Sequence, residues 1–131
     1  MSADSDIRSL VADWVAAIQS RDLEGALRQH DPSIVMFDVP PPYLGVRGLD
    51  DYRNSWGPFF DWLRSNDAIF ELDELNVEAG SEVAFAYGIL RCGTPAELAT
   101  NPDNRLRLTL GLRKVGDRWI VRHEHHSFPM T

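Results

Sequence analysis

The segment that decides the fold is Arg105–Phe128, RLRLTLGLRKVGDRWIVRHEHHSF. Apolar and polar residues alternate through both of its halves, which is the period-2 pattern of a β-strand. Gly116-Asp117 lies between the two runs and is typical of a tight hairpin turn. The segment therefore predicts two long antiparallel strands, Arg105–Val115 and Arg118–Phe128.

The same period continues upstream, where Ile69–Glu78 and Glu82–Cys92 flank the turn signal Gly80-Ser81. Strands joined by so short a turn pair as an antiparallel hairpin. Residues 93–104 form the one long connection in this half, and we expect a mobile loop at the rim of the sheet. The C-terminal half therefore predicts a meander of four long strands.

The N-terminal half instead has the 3.6-residue period of amphipathic helices. Asp4 or Ser5 would cap the first helix, and Asp22 would cap a second that ends before Pro32. A short strand is expected over Ile34–Val39, followed by a third helix that Pro58 should kink. The apolar residues of the first and third helices are Ile7, Leu10, Val11, Trp14, Val15 and Ile18, and Tyr52, Trp56, Phe59, Phe60 and Leu63. Helices segregated onto an antiparallel sheet predict an α+β fold.

The length, charge and composition of the chain argue against several classes of function. The 131 residues suit one domain, 1–131, and the formal net charge of −7 with a single lysine, Lys114, argues against a nucleic-acid binder. No stretch approaches the roughly 20 apolar residues of a membrane span, and the acidic start is unlike a signal peptide. Cys92 is the only cysteine, so no internal disulfide can form. We therefore expect a cytoplasmic protein.

The ending Trp119-Ile120-Val121-Arg122-His123-Glu124-His125-His126-Ser127 after a Gly-Asp turn resembles the SnoaL-like branch of the nuclear-transport-factor-2-like superfamily, which includes ketosteroid isomerase and polyketide cyclases. The resemblance covers roughly residues 5 to 128. It implies three N-terminal helices on a strongly curved, mainly antiparallel sheet, a cone that encloses a pocket, and usually a homodimer. One fold of this kind hosts many reactions, so no single activity is implied.

Strict alternation along the last strand predicts that His123 and His125 share a face with Trp119. Two imidazoles beside apolar residues suit the polar end of a ligand pocket. Alternatively, the histidines bond backbone or carboxylate groups and only stiffen the sheet. His-x-His could also bind zinc with Asp38 or Glu71, but no spacing identifies a third ligand, and we expect neither a metal nor a cofactor.

Asp38 ends the short strand among apolar neighbours. By resemblance to the isomerase branch it corresponds to the general base that moves a proton beside a ketone; the alternative is an aspartate that caps the turn amides. The family's oxyanion donors are missing, since Trp14 stands at the tyrosine position and Arg105–Val115 contains Thr109 but no acid. Their replacement would have to come from Trp14, Tyr52, Tyr87, His123 or His125.

Two strands leave the choice of inner face open. If the leucines of Arg105–Val115 pack under the helices, its arginines lie outside; if they form a dimer seam, Arg107 enters the pocket and can hold a carboxylate. The strand Glu82–Cys92 leaves the same choice for Tyr87 and Arg91. The aromatic residues Tyr52 and Trp56 either belong to the core or line the pocket.

The sequence therefore predicts a small-molecule-binding protein, and, if an enzyme, a cofactor-free isomerase or cyclase acting next to a carbonyl. Its catalytic candidates are Asp38, His123 and His125, and its ligand is a small apolar, cyclic or weakly anionic organic molecule. The expected ligand contacts are Trp14, Tyr52, Trp56, Tyr87, Arg91, Arg107 and Trp119. The alternative is a non-catalytic dimerisation domain with a residual pocket.

Overall fold

The computed structural model describes residues 2–130 and contains four helices and six strands in that range. In chain order the elements are α1 (Ala3–Gln19), α2 (Leu23–Leu27), β1 (His30–Phe37), β2 (Val46–Arg47), α3 (Leu49–Ser65), β3 (Ile69–Ala79), β4 (Val83–Gly93), α4 (Pro95–Thr100), β5 (Leu106–Val115) and β6 (Arg118–Ser127). The strands form one sheet in the order β2-β1-β6-β5-β4-β3. The predicted α+β class and the four-strand meander are confirmed.

Among the strands of residues 2–130, β1 and β6 form the one parallel pair, and the other pairs are antiparallel. The first and last strands of the fold are therefore neighbours. The ladder is irregular at three places, between β1 and β6, between β3 and β4 and between β5 and β6. Such irregularities bend a strand and increase its twist, so the sheet curves around the helices packed on its inner face.

The inner face of the sheet is apolar along β5. Leu106, Leu108, Leu110 and Leu112 are all buried in the core cluster with residues of α1 and α3. This resolves the choice left open by the sequence, because the arginines of β5 must then lie on the outer face. On β4, Leu90 and Cys92 face inward, whereas Phe85 and Tyr87 are exposed on the outside.

Polar side chains cap the N-terminal ends of α1 and α2. Ser2, rather than the predicted Asp4 or Ser5, caps α1 by accepting a hydrogen bond from the Ser5 amide. Asp22 caps α2 as predicted. The helix α3 runs unbroken from Leu49 to Ser65 with Pro58 inside it. Within residues 2–130, none of the helices combines the length and the apolar character that crossing a bilayer requires.

Two predicted boundaries are wrong. Residues 95–100 form α4 rather than a loop, because Thr94 and Glu97 make a reciprocal capping box and Pro95 occupies the first helical turn. Strand β1 begins at His30, four residues before the predicted Ile34, and includes Pro32. A proline is tolerated there because the pairing with β6 is irregular between His30 and Val35.

Candidate functional site

A β-bulge in β6 decides which side chains reach the interior. Gly111 pairs with His123 while the next residue, Leu112, pairs with Val121, so Arg122 is the extra residue. Alternation therefore reverses after Val121, and the buried positions change from Trp119 and Val121 to Glu124 and His126. The predicted face for His123 and His125 is wrong for this reason.

The bulge places Glu124 at the centre of a buried polar cluster, where it is 0% exposed. The hydroxyl of Tyr52 donates to Glu124 Oε2 at 2.6 Å, and Trp14 Nε1 donates to the Tyr52 oxygen at 3.2 Å. His30 Nε2 lies 2.6 Å from the same Oε2, and His126 Nε2 lies 3.0 Å from Oε1. Four elements, α1, α3, β1 and β6, thus converge on one carboxylate.

The two imidazoles keep this carboxylate ionised. Burial by itself raises the pKa of Glu124, but the hydrogen bonds and charges of His126 and His30 outweigh burial and lower that pKa to about 2. Burial and the charge of Glu124 both hold the pKa of Tyr52 well above its ordinary value, so Tyr52 stays a neutral donor. Glu124 is therefore an ionised carboxylate in the core, and both of its oxygens have hydrogen-bond partners.

A cavity of about 510 Å³ opens beside the cluster, between α3, α4 and the ends of β3, β4 and β6. Its walls are mostly aromatic or apolar, with Trp56, Phe59, Trp62, Phe70, Leu98, Leu106 and Phe128. Its polar groups are Asp38, Ser55, Glu97, Asn104 and His126. An apolar hollow with a few polar groups is the usual composition of a small-molecule site.

His126 connects the cavity with the buried cluster. Its Nδ1 lies 3.5 Å from Asp38 Oδ1, on the cavity side, while its Nε2 faces Glu124. Burial lowers the pKa of His126, but the hydrogen bond and charge of Glu124, with the charge of Asp38, outweigh it and raise the pKa above the ordinary value. His126 therefore keeps its second proton to higher pH than an ordinary histidine does.

Asp38 lies at the cavity wall, with a side chain that is 24% exposed. Its Oδ1 also accepts a hydrogen bond from the Val39 amide at 2.8 Å. Asp38 thus accepts a hydrogen bond from a turn amide, as one of the two interpretations predicted. Its carboxylate also lies beside both His126 and the cavity. Asp38, His126, Glu124 and His30 form a continuous polar chain from the cavity to the core.

The structure separates the other predicted site residues into four groups. Trp56 lines the cavity, and Trp14 and Tyr52 belong to the Glu124 cluster. Trp119 is buried in the core but does not line the cavity. The remaining five lie on the outer face of the sheet: Tyr87, Arg91, Arg107, His123 and His125.

The outer-face residues have local partners there. His123 Nδ1 donates to the Val35 carbonyl at 2.6 Å, which is the alternative predicted for this histidine. Arg91 pairs with Glu71 at 3.1 Å, and Arg107 donates to Ser127 Oγ at 3.2 Å. The predicted entry of Arg107 into the pocket is therefore wrong, because the leucines of β5 occupy the inner face.

Sequence reasoning missed His30, Glu124 and His126. Two signals could have found the latter pair. Glu124 and His126 belong to the motif Trp119–Ser127, and Gly111 lies on the facing strand, where a glycine often marks a bulge. Nothing local marked His30, which enters the cluster through the parallel pairing of β1 with β6. Among residues 2–130, no three or more His, Cys, Asp or Glu side chains are grouped so that they could hold a metal ion.

The fold and this cavity define a helix-covered, cone-like α+β domain with an apolar hollow. The chain belongs to the SnoaL-like domain family, whose model matches residues 7–131. The resemblance noted in the sequence is thereby confirmed. No curated protein is similar enough to match the chain.

Solved structures agree with this assignment. A nuclear-transport-factor-2-like protein of unknown function from Pseudomonas putida KT2440 is 30% identical, with a TM-score of 0.84 over 100% of this chain and 91% of the other. A protein from Shewanella frigidimarina NCIMB 400, provisionally named a ketosteroid isomerase, is 20% identical, with a TM-score of 0.73 over 91% and 92%. A nuclear-transport-factor-2-like protein with a cystatin-like fold from Novosphingobium aromaticivorans is 15% identical, with a TM-score of 0.74 over 95% and 80%. The last two share the fold alone.

Proposed function

We propose that this protein binds a small, mostly apolar, ring-containing molecule in the cavity and moves a proton next to its carbonyl group. The reaction would be an isomerisation or an aldol-type cyclisation and would need no cofactor. The observation that carries this proposal is the pair Asp38 and His126 in the wall of a mostly apolar cavity. A carboxylate and an imidazole at this distance can divide the roles of base and acid.

In the proposed step, Asp38 removes a proton from the carbon next to the carbonyl group. The electrons of the broken C–H bond form an enolate, and negative charge develops on the carbonyl oxygen. His126 donates a hydrogen bond to that oxygen through Nδ1–H, after which Asp38 returns the proton to another carbon. Protons and electrons balance without an oxidant or reductant.

His126 takes the place of the oxyanion donors that the sequence lacks. Trp14 and Tyr52, two of the replacements considered for them, donate within the Glu124 cluster instead. Because Glu124 remains ionised in the core, it favours the protonated form of His126, and a charged donor stabilises an oxyanion more strongly than a neutral one. The structural neighbour named a ketosteroid isomerase supports this class of reaction by analogy of fold only.

The direct test is proton exchange in a model ketone. We expect the protein to accelerate deuterium incorporation beside the carbonyl of 2-tetralone, followed by proton NMR, and Asp38→Asn to reduce that acceleration by roughly 100-fold or more. His126→Gln should also reduce it, whereas His125→Gln on the outer face should not. Exchange that is absent in the wild type, or unchanged in Asp38→Asn, would overturn the proposal.

The outer face of the sheet favours a second role, self-association. Phe85 is 50% and Tyr87 45% exposed, and their rings stack with centroids 6.2 Å apart. Phe37, also exposed, contacts the rings of His123 and His125 in edge-to-face geometry. We propose that a second copy of this chain covers this patch, as the SnoaL-like resemblance implies; without turnover, the protein would be a dimerisation domain with a residual pocket.

A further inference from the structure

The cavity is poor in positive charge. Among the described residues that line it, Asp38 and Glu97 are the acids, and none is a lysine or an arginine. His126, the one basic side chain, already faces the two carboxylates of Asp38 and Glu124. The arginines expected to hold an anion, Arg91 and Arg107, lie on the outer face. An anionic ligand group would therefore meet carboxylates, while the basic lining side chain, His126, is already paired with two of them.

The two lining carboxylates act on the same region of the cavity. Asp38 follows β1 and Glu97 belongs to α4, yet both charges reach Cys92 in the cavity wall. Burial raises the pKa of the Cys92 thiol to about 12, and the charges of Glu97 and Asp38 add to that rise. The thiol is thus neutral, and the local potential in this wall is negative.

Glu97 is an exposed residue, and within residues 2–130 it forms no ion pair with a basic side chain, whereas Asp38 faces His126. One of its oxygens, Oε1, accepts from the Thr94 amide at 2.9 Å, which fixes the side chain in the capping box. The aromatic rings of Trp56, Phe59 and Trp62 line the same cavity. Ring faces attract organic cations, most strongly where water is excluded.

We propose that the cavity prefers a ligand that carries an organic cation, such as a protonated amine beside a ring, over a neutral or anionic ligand of the same shape. Glu97 supplies the counter-charge, and the aromatic walls contact the ring and the alkyl part of the ligand. This inference rests on the proposed function, because it names the ligand class of the same cavity. The substrate class becomes a ring-containing amino ketone.

Three ligands of matched shape test the preference: 1-naphthylmethylamine, 1-naphthalenemethanol and 1-naphthoate, each titrated by calorimetry at pH 7. We expect the amine to bind roughly threefold to thirtyfold more tightly than the alcohol, and the carboxylate most weakly. Glu97→Gln should lower the affinity for the amine to that for the alcohol and leave the alcohol unchanged. Glutamine still completes a capping box, so this variant should keep α4 intact.

Glu74→Gln is the matched control, because it removes the same charge at an exposed position that does not line the cavity. Equal binding of amine and alcohol would overturn the inference while the ligand-binding part of the proposed function stood. An equal loss of amine affinity in Glu74→Gln and Glu97→Gln would also overturn it, since the preference would then reflect the overall charge. Failure of all three ligands to bind would remove both the inference and the ligand-binding role of the cavity.

Discussion

At the scale of single residues, Glu124 links stability to the candidate chemistry. A fully buried carboxylate is costly unless its partners are charged or donate hydrogen bonds, and here His30, His126 and Tyr52 fill that role. Its position between the core and His126 means that the same ion that holds α3, β1 and β6 together also sets the protonation of the cavity histidine.

Replacement of the Glu124 carboxylate should therefore destabilise the protein strongly. We expect Glu124→Gln to lower the free energy of unfolding by about 3–5 kcal/mol at pH 7, because the buried pair that favours the charged form of His126 loses its carboxylate. Urea denaturation followed by tryptophan fluorescence measures this, and Glu78→Gln, at an exposed position, is the control. A variant as stable as the wild type would show that the cluster holds no essential charge.

The loss of stability caused by Glu124→Gln should depend on pH, and the pKa values give the direction of that dependence. The pKa of Glu124 is lowered on folding from its ordinary 4.5 to about 2, so its contribution to stability is complete above about 4.5 and is lost as the pH falls through about 2. The stability difference between wild type and variant should consequently shrink between these two values. His126 acts in the opposite direction, because its raised pKa gives stability that is lost as the pH rises above the ordinary histidine range.

The sequence indicated some residues of the cavity but not which side chains contact one another. Asp38 and Trp56, which both line the cavity, could be assigned to a pocket, Asp38 from the family resemblance and its apolar neighbours and Trp56 from its place on the third helix. His126 could not, because strict alternation puts it outside, and only the extra residue Arg122 turns it inward. A one-residue shift in a strand exchanges its two faces, so a single unrecognised bulge put the two histidines predicted to be catalytic, His123 and His125, on the wrong face.

At the scale of elements, α4 is the part that sequence periodicity failed to predict. Six residues are too few for a visible helical period, and the signal was the capping pattern Thr94-Pro95-Ala96-Glu97. The helix matters because Glu97 and Leu98 form one wall of the cavity. The long strands were predicted well, since alternation over about ten residues is hard to mistake.

The cap of α4 should therefore affect both the helix and the cavity. We expect Thr94→Ala to cost about 1 kcal/mol of local stability, because the Glu97 amide loses its acceptor, while Thr94→Ser keeps the hydroxyl and stays near wild type. Amide hydrogen exchange of residues 95–100 measures this. If Thr94→Ala and Thr94→Ser exchange at the same rate, the capping box does not hold this wall.

At the scale of the whole molecule, the sheet has one face covered by helices and one open. The open face carries Phe37, His123, His125, Phe85 and Tyr87. Strand register aligns His125 with Thr109 and Tyr87, and His123 with Gly111 and Phe85, so these residues form two rows across β6, β5 and β4. The histidines predicted for the pocket thus belong to the candidate contact surface.

An apolar patch crossing three strands favours association with an identical patch, since a two-fold contact needs only one self-complementary surface. We expect the wild type to have twice the mass of one 14.8-kDa chain in sedimentation equilibrium at micromolar concentration. Tyr87→Glu and Phe85→Glu should give monomers with unchanged circular dichroism, because a buried unpaired charge opposes association. Val115→Glu, at an exposed position near the β5–β6 turn, should remain dimeric. A monomeric wild type, or a Tyr87→Glu variant that still dimerises, would rule out this surface.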